Sequence, residues 1–145
     1  MQDRIAELLE KQSIIEVGLR YASAVDTRDI DRFLSCFTPD ARWYSDVHDA
    51  RGHQEIAEAM QRAATHLDAT QHVATNFEVT LDGDRATMRS CYIATHVKAP
   101  LEPYVLAGAY DDELVKTADG WRIRSRKLTI QWTSGDPMVM TGITR

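Results

Sequence analysis

Cysteine is scarce in this sequence: Cys36 and Cys91 are the only two among 145 residues. They lie far apart, with no CxxC pair and no zinc-finger spacing, so neither a disulfide framework nor a structural zinc site is encoded. Cys36 falls in the apolar stretch FLSCF and Cys91 in a strand pattern, and both are expected as buried free thiols of a reducing cytosol. Long apolar runs are missing as well; none approaches the ~18 residues that a membrane span needs. There is no basic run, and the net charge is −5, which argues against nucleic acid or anionic lipid as a partner. The histidines, His48, His53, His66, His72 and His96, show neither an i, i+4 helical pair nor HxH spacing, so no metal is expected. No GxGxxG, P-loop or GxSxG occurs; a dinucleotide, a nucleotide and a serine nucleophile have no support, and no cofactor is expected. The opening MQDRIAELLEKQ is charged and helical rather than signal-like, which sets the expectation of a cytoplasmic protein.

What is present is an ordinary globular composition, 43% hydrophobic and 27% charged, in a length that suits one domain over residues 1–145. A chain of this size buries roughly 68–70% of its unfolded surface, enough for a core of its own. From about Asp3 to Val25, Ile5, Leu8, Leu9, Ile14, Ile15, Leu19 and Ala22 recur at helical spacing. Asp29 can cap a short second helix carrying Ile30, Phe33, Leu34 and Phe37, which Pro39 would stop. ARWYSDV reads as a short strand. Gly52 precedes a third helix with Ile56, Met60 and Ala63–Ala64 inward.

From Thr70 onward the pattern turns to strands, at about 71–81, 85–97, 104–116 and 121–132. The first two are joined through Asp82-Gly83-Asp84, and the tail TSGDPMVMTGITR is expected to be irregular. Helices first and a four-strand meander after them mean α+β: a cone-shaped α+β barrel, with N-terminal helices packed over a curved, mainly antiparallel sheet. The space between helices and sheet is then either filled core or a pocket.

Strict alternation along the first long strand sets Phe77, Val79 and Leu81 on one face and His72, Ala74 and Asn76 on the other. A histidine and an amide there either meet water or line a pocket. Asp26, at the end of the first helix, is disfavoured by the helix dipole by ~0.3–1 kcal/mol and asks for a partner. Tyr21 lies five residues earlier and can share its space. A carboxylate bonded to an imidazole fixes its tautomer and raises its basicity. Asp26 with His72 would then be a general base for a carbon acid, an effect of ~10²–10⁴ in rate. His96 shares an inward register with Met88, Ser90, Tyr92 and Ala94 and is a candidate acid. Taken singly, each of these residues has a bland reading, as a surface or hydrogen-bonded core group.

Together the stretches YASAVDTRDIDRFLSCFTPDARW, GHQEIAEAM, TQHVATNFEVTLDGDRA and GAYDDELVKTADGWRIRSRKL resemble the SnoaL-like branch of the nuclear transport factor 2-like superfamily. The chain is most similar to that branch's cofactor-free lyases, of the scytalone dehydratase, hexachlorocyclohexane dehydrochlorinase and bile acid 7α-dehydratase types. The resemblance implies a conical pocket with catalytic Asp26 and His72, aided by Tyr21 and His96. It implies Arg126 as a pocket arginine and Tyr44 near the place of a second tyrosine. With it come Trp43, Met60, Tyr92 and Trp132 as pocket walls and Asn76 as a polar contact. The implied substrate is a small hydrophobic molecule, cyclic or polycyclic. The implied assembly is a homodimer or higher homo-oligomer, formed through the outer sheet face with Val73, Phe77, Val79, Arg89 and Ile93. Elimination competes with isomerisation or polyketide cyclisation on the same fold, and with a non-catalytic ligand-binding or assembly subunit whose cone is packed solid. A strained pocket aspartate would also leave folding unchanged, or improve it, on Asp26→Asn.

Overall fold

The computed structural model describes residues 1–141. Its elements run α1 (Gln2–Thr27), α2 (Ile30–Leu34), β1 (Phe37–Tyr44), β2 (Asp49–Arg51), α3 (Gly52–His66), β3 (Ala69–Asp82), β4 (Arg85–Val97), β5 (Tyr104–Thr117) and β6 (Gly120–Ser134). A 3₁₀ turn, Pro137–Met140, follows with Asp136 as its N-cap. The tail expected to be irregular therefore holds a capped turn, and its residues 142–145 lie outside the described residues.

The six strands form one curved sheet in the order β2-β1-β6-β5-β4-β3. Every pairing is antiparallel except β1 with β6. The fold is α+β, and the sheet is an unclosed cone, with β2 at one edge and β3 at the other. The meander β3–β6 follows the four expected strands; β1, which overlaps the strand read in ARWYSDV but begins earlier at Phe37, and β2 extend it. Asp29 caps α2 by accepting from the Arg32 N–H at 3.0 Å. Pro39 does not end that helix, which is over by Leu34; it sits inside β1, where the register against β6 breaks between Phe37 and Arg42. A residue without an N–H is tolerated there because the ladder is interrupted.

Asn76 carries the most consequential departure. Its φ is +56°, and the β3–β4 register slips between Thr75 and Glu78. The bulge inserts one residue and reverses the alternation. Before it, Thr70, His72 and Ala74 are the more buried; after it, Phe77, Val79 and Leu81 are. The two sets therefore share the inner face instead of opposing each other. Phe77 packs beneath α1, where a Cβ added to Gly18 would stand 3.0 Å from its ring. Phe77 and Val79 are core-facing, not part of an outer patch, and Val73 alone of that trio is on the outside, 46% exposed.

The buried stripe of α1 is Ile14, Val17, Gly18, Tyr21, Ala22 and Ala24. The expected apolar positions Ile5, Leu8 and Leu9 are exposed, because the first turns of the helix are not covered by the sheet. Glu10 ties this region down by accepting from Trp121 Nε1 at 2.6 Å and from Lys116 Nζ at 2.7 Å. Cys36 is buried and its thiol is pushed up to about 11 by that burial; Cys91 is half-buried and free.

Candidate active site

α1 ends in a left-handed Arg28, whose guanidinium donates to the carbonyls of Leu67 and Asp68 at 2.7 and 2.8 Å. That clamp holds the helix end against the start of β3 and sets Asp26 beside it. The Asp26 carboxylate accepts three hydrogen bonds: from the His72 backbone N–H at 2.8 Å, from His72 Nδ1 at 2.7 Å and from the Thr70 hydroxyl at 3.0 Å. These are the partners that an acid at a helix C-terminus requires. Burial pushes the Asp26 carboxyl up, but the bonds from His72 and Thr70 outweigh it and hold it below the usual carboxylate value. An ionised carboxylate only accepts, so Nδ1 of His72 carries a proton, and the neutral form of the ring has its lone pair on Nε2.

His72 pairs across the ladder with Ala94, and Thr70 with His96. The His72 and His96 rings stand 5.8 Å apart, edge to face. His96 is buried and donates from Nδ1 to the Tyr104 carbonyl at 3.3 Å. A carbonyl likewise only accepts, which leaves His96 Nε2 as an acceptor too. Burial and the neighbouring His72 push His96 down to about 4, so it is neutral at physiological pH.

Both histidines line a cavity of about 770 Å³ between the sheet and helices α1 and α3. Tyr21, Trp43, Met60 and Tyr92 line it as well. Asp26 stands behind His72. Four residues expected at the pocket are elsewhere. Tyr44 faces away from Trp43, under the Arg42 guanidinium at 3.8 Å. Asn76 is exposed at the bulge, accepting from its neighbour Thr75. Trp132 pairs with Ala107 on the outer face and is 51% exposed, because a second register shift turns that end of β6 over.

Arg126 is fully buried behind the cavity wall. It forms a fork with Asp112 at 2.7 and 2.8 Å, and its guanidinium lies 4.1 Å from both the Tyr21 and Tyr110 rings. Burial pushes the Asp112 carboxyl up and Arg126 pulls it back; the bidentate geometry keeps both charged. Burial also raises Tyr21 against the opposing charge of Arg126, raises Tyr110, and pushes Tyr92 up to about 12. All three phenols are protonated hydrogen-bond donors near neutrality.

The sequence reading missed Phe33, His48, Tyr104, Tyr110 and Leu128 as further lining residues. Tyr110 and Leu128 lie across from each other in the β5–β6 ladder, and an alternation count along those strands identifies them once Arg126 is known to face inward. His48 precedes β2 in a loop and carries no such signal. Among the described residues no three His, Cys, Asp or Glu side chains converge as metal ligands, and no helix is long and apolar enough to cross a membrane.

This architecture, a cone closed on one side by helices, has counterparts among known proteins. The family profile described as SnoaL-like domain matches residues 6–127, and the chain belongs to that family. An uncharacterized protein of Mycobacterium tuberculosis (strain H37Rv) is 31% identical over 128 residues, 84% of this chain and 86% of the relative. Among solved structures, a candidate aromatic ring hydroxylase from Novosphingobium aromaticivorans superposes with a TM-score of 0.85 at 29% identity, over 91% of this chain and 96% of the other. A candidate scytalone dehydratase from the same organism gives 0.85 at 22% identity, over 94% and 92%. A hexachlorocyclohexane dehydrochlorinase from Novosphingobium barchaimii gives 0.76 at 16% identity, over 94% and 94%. The last two show a shared fold.

Proposed function

We propose that this protein is a cofactor-independent lyase of the dehydratase type, acting on a small hydrophobic cyclic substrate. The observation that carries the reading is the 2.7 Å Asp26–His72 contact at the wall of a 770 Å³ cavity. Nε2 of His72 takes a proton from a carbon next to an electron-withdrawing group. The C–H electron pair becomes the new double bond, and the β C–O bond breaks with its electrons on oxygen. The departing hydroxide is hydrogen-bonded by Tyr21 and takes up the proton that His72 collected, so that water leaves. Asp26 stabilises the transient imidazolium. His96, with its acceptor Nε2, suits holding a substrate hydroxyl better than supplying a proton.

An isomerase or cyclase would use the same base and return the proton to another carbon. A binding or assembly subunit with a filled cone fits less well, because the space between helices and sheet is open and reaches the typical ~300–1,000 Å³ of ligand sites. The test is a panel of cyclic β-hydroxy ketones, screened first for stabilisation of the fold and then for appearance of the conjugated enone. Enone formation that disappears in His72→Ala supports the lyase. Enone formation unchanged in that variant removes it, and double-bond migration without loss of water moves the assignment to isomerase.

A further inference from the structure

The β1–β2 side of the cavity contains two polar atoms without partners. Trp43 Nε1 and His48 Nε2 are both buried and make no hydrogen bond. Their rings stand 4.8 Å apart, edge to face, and both residues line the cavity. Trp43 Nε1 approaches the Tyr21 hydroxyl without forming a well-aligned bond. Burial holds His48 below the usual histidine value, with Arg62 acting in the same direction, so its ring is neutral. A buried polar atom with no partner is costly and rare, and two side by side call for a ligand atom that satisfies them.

Their place in the sheet sets the geometry. Trp43 is on β1 and His48 just before β2, whereas His72 is on β3; strands β6, β5 and β4 lie between. The two polar groups of the cavity are thus carried by opposite edge regions of the sheet, with Phe33, Met60 and Leu128 among the apolar residues lining the same cavity.

We infer that Trp43 and His48 form a subsite for an uncharged hydroxyl of the substrate on the β1–β2 side of the cavity, a group distinct from the hydroxyl that leaves. The indole N–H only donates and a neutral imidazole nitrogen can accept, so one hydroxyl oxygen accepts from the first while its proton goes to the second. A charged group is not suited to this side. Glu55 and Glu58 line the cavity together with Arg62, so the acids outnumber that one cation, and Asp49 is already taken up by Arg42 at 2.9 Å. No positive surplus remains there for an anion. The substrate class is thereby narrowed to apolar molecules that carry a neutral hydroxyl in addition to the one that leaves. This rests on the cavity being the substrate site, as the lyase reading has it, and adds a determinant of specificity that the dyad does not supply.

The test uses equilibrium binding, so that it does not depend on turnover. Dissociation constants are measured for 4-hydroxybiphenyl and its isostere 4-methylbiphenyl with the wild-type protein, His48→Phe, Trp43→Phe and His72→Ala. The ratio of the two constants is the readout. It should shift roughly tenfold toward the methyl compound in His48→Phe, and in the same direction in Trp43→Phe, as loss of one or two neutral hydrogen bonds requires. It should not move in His72→Ala. A ratio unchanged in both wall variants, or one that collapses only in His72→Ala, overturns the subsite. If His48→Phe does not fold, Trp43→Phe alone decides. Failure of the lyase reading shows separately, as turnover that survives His72→Ala whatever the ratio does.

Discussion

Asp26 grips His72 twice, through the ring Nδ1 at 2.7 Å and through the backbone N–H at 2.8 Å. One carboxylate therefore sets the base's tautomer and also pins the strand that carries it. The first consequence is kinetic. His72→Ala should lower kcat by ~10²–10⁴, Asp26→Asn by a similar order through the wrong tautomer, and the double variant should be little worse than His72→Ala alone. Additive losses in that cycle would show that the two do not act as a unit.

The second consequence is for stability, and it reverses the expectation drawn from a strained pocket acid. An Asn amide must point its NH₂ at one of the donors that Asp26 now satisfies. Asp26→Asn should therefore lose ~1–3 kcal/mol, read as a lower urea midpoint. An unchanged midpoint would mean that the three bonds to Asp26 contribute nothing net.

Stability should fall with pH in a window set by His96. Its folded value of about 4 lies below its ordinary value of 6.5. Between those two the unfolded chain binds a proton that the folded chain does not, so stability is full above 6.5 and declines as the pH drops toward 4. The full effect is on the order of 3 kcal/mol. Asp26 acts in a separate, more acidic window, since its folded value is depressed below 3.8. Urea midpoints from pH 7 to 4 should decline in the wild-type protein and less steeply in His96→Phe, the remaining slope including His48, which burial also holds below its ordinary value; equal slopes would refute the assignment.

Much of this molecule was legible before its structure. The α3 and β3–β6 patterns lie close to the observed elements, and the Asp26–His72 pairing follows from a carboxylate in need of a partner near a histidine on a strand. What was not legible traces to backbone irregularity. Alternation counts assume an unbroken period of two, and the slip at Asn76 and the shift before Trp132 each turned a set of residues over. An asparagine in the middle of a strand was the one local cue, because Asn tolerates the left-handed conformation better than its neighbours. Arg126 failed as a pocket residue for a different reason: its acceptor, Asp112, stands directly opposite it in the β5–β6 ladder, in a register that the shift between Glu113 and Leu114 moves by one residue from the count back from the turn.

That pair yields the next prediction. Arg126 is buried with its fork on Asp112 and a guanidinium face on each of Tyr21 and Tyr110. Asp112→Ala strands a charge that water cannot reach, and should lower stability by ~3–5 kcal/mol. Replacing both partners with apolar residues of similar volume should recover most of that loss. A single variant as stable as the wild type would show that water enters the site.

The corrected outer face bears on the assembly. Val73, Ile93, Ala107 and Trp132 form one row across β3, β4, β5 and β6, and Val73, Ile93 and Trp132 are each about half exposed, at 46%, 47% and 51%. A second row, Glu78, Arg89, Asp111 and Lys127, alternates in sign beside it. A face with a continuous apolar row and alternating charges is self-complementary under a two-fold axis. We propose a homodimer through these rows, with Phe77 and Val79 taking no part because they are turned inward. Light scattering at micromolar concentration should give about twice the chain mass of 16.4 kDa. Trp132→Glu should return it to the monomer mass while leaving the far-ultraviolet spectrum unchanged, since the side chain is outside the core. A wild-type protein at the monomer mass would sink the proposal; so would a Trp132→Glu variant that stays dimeric, which would place the contact on another surface.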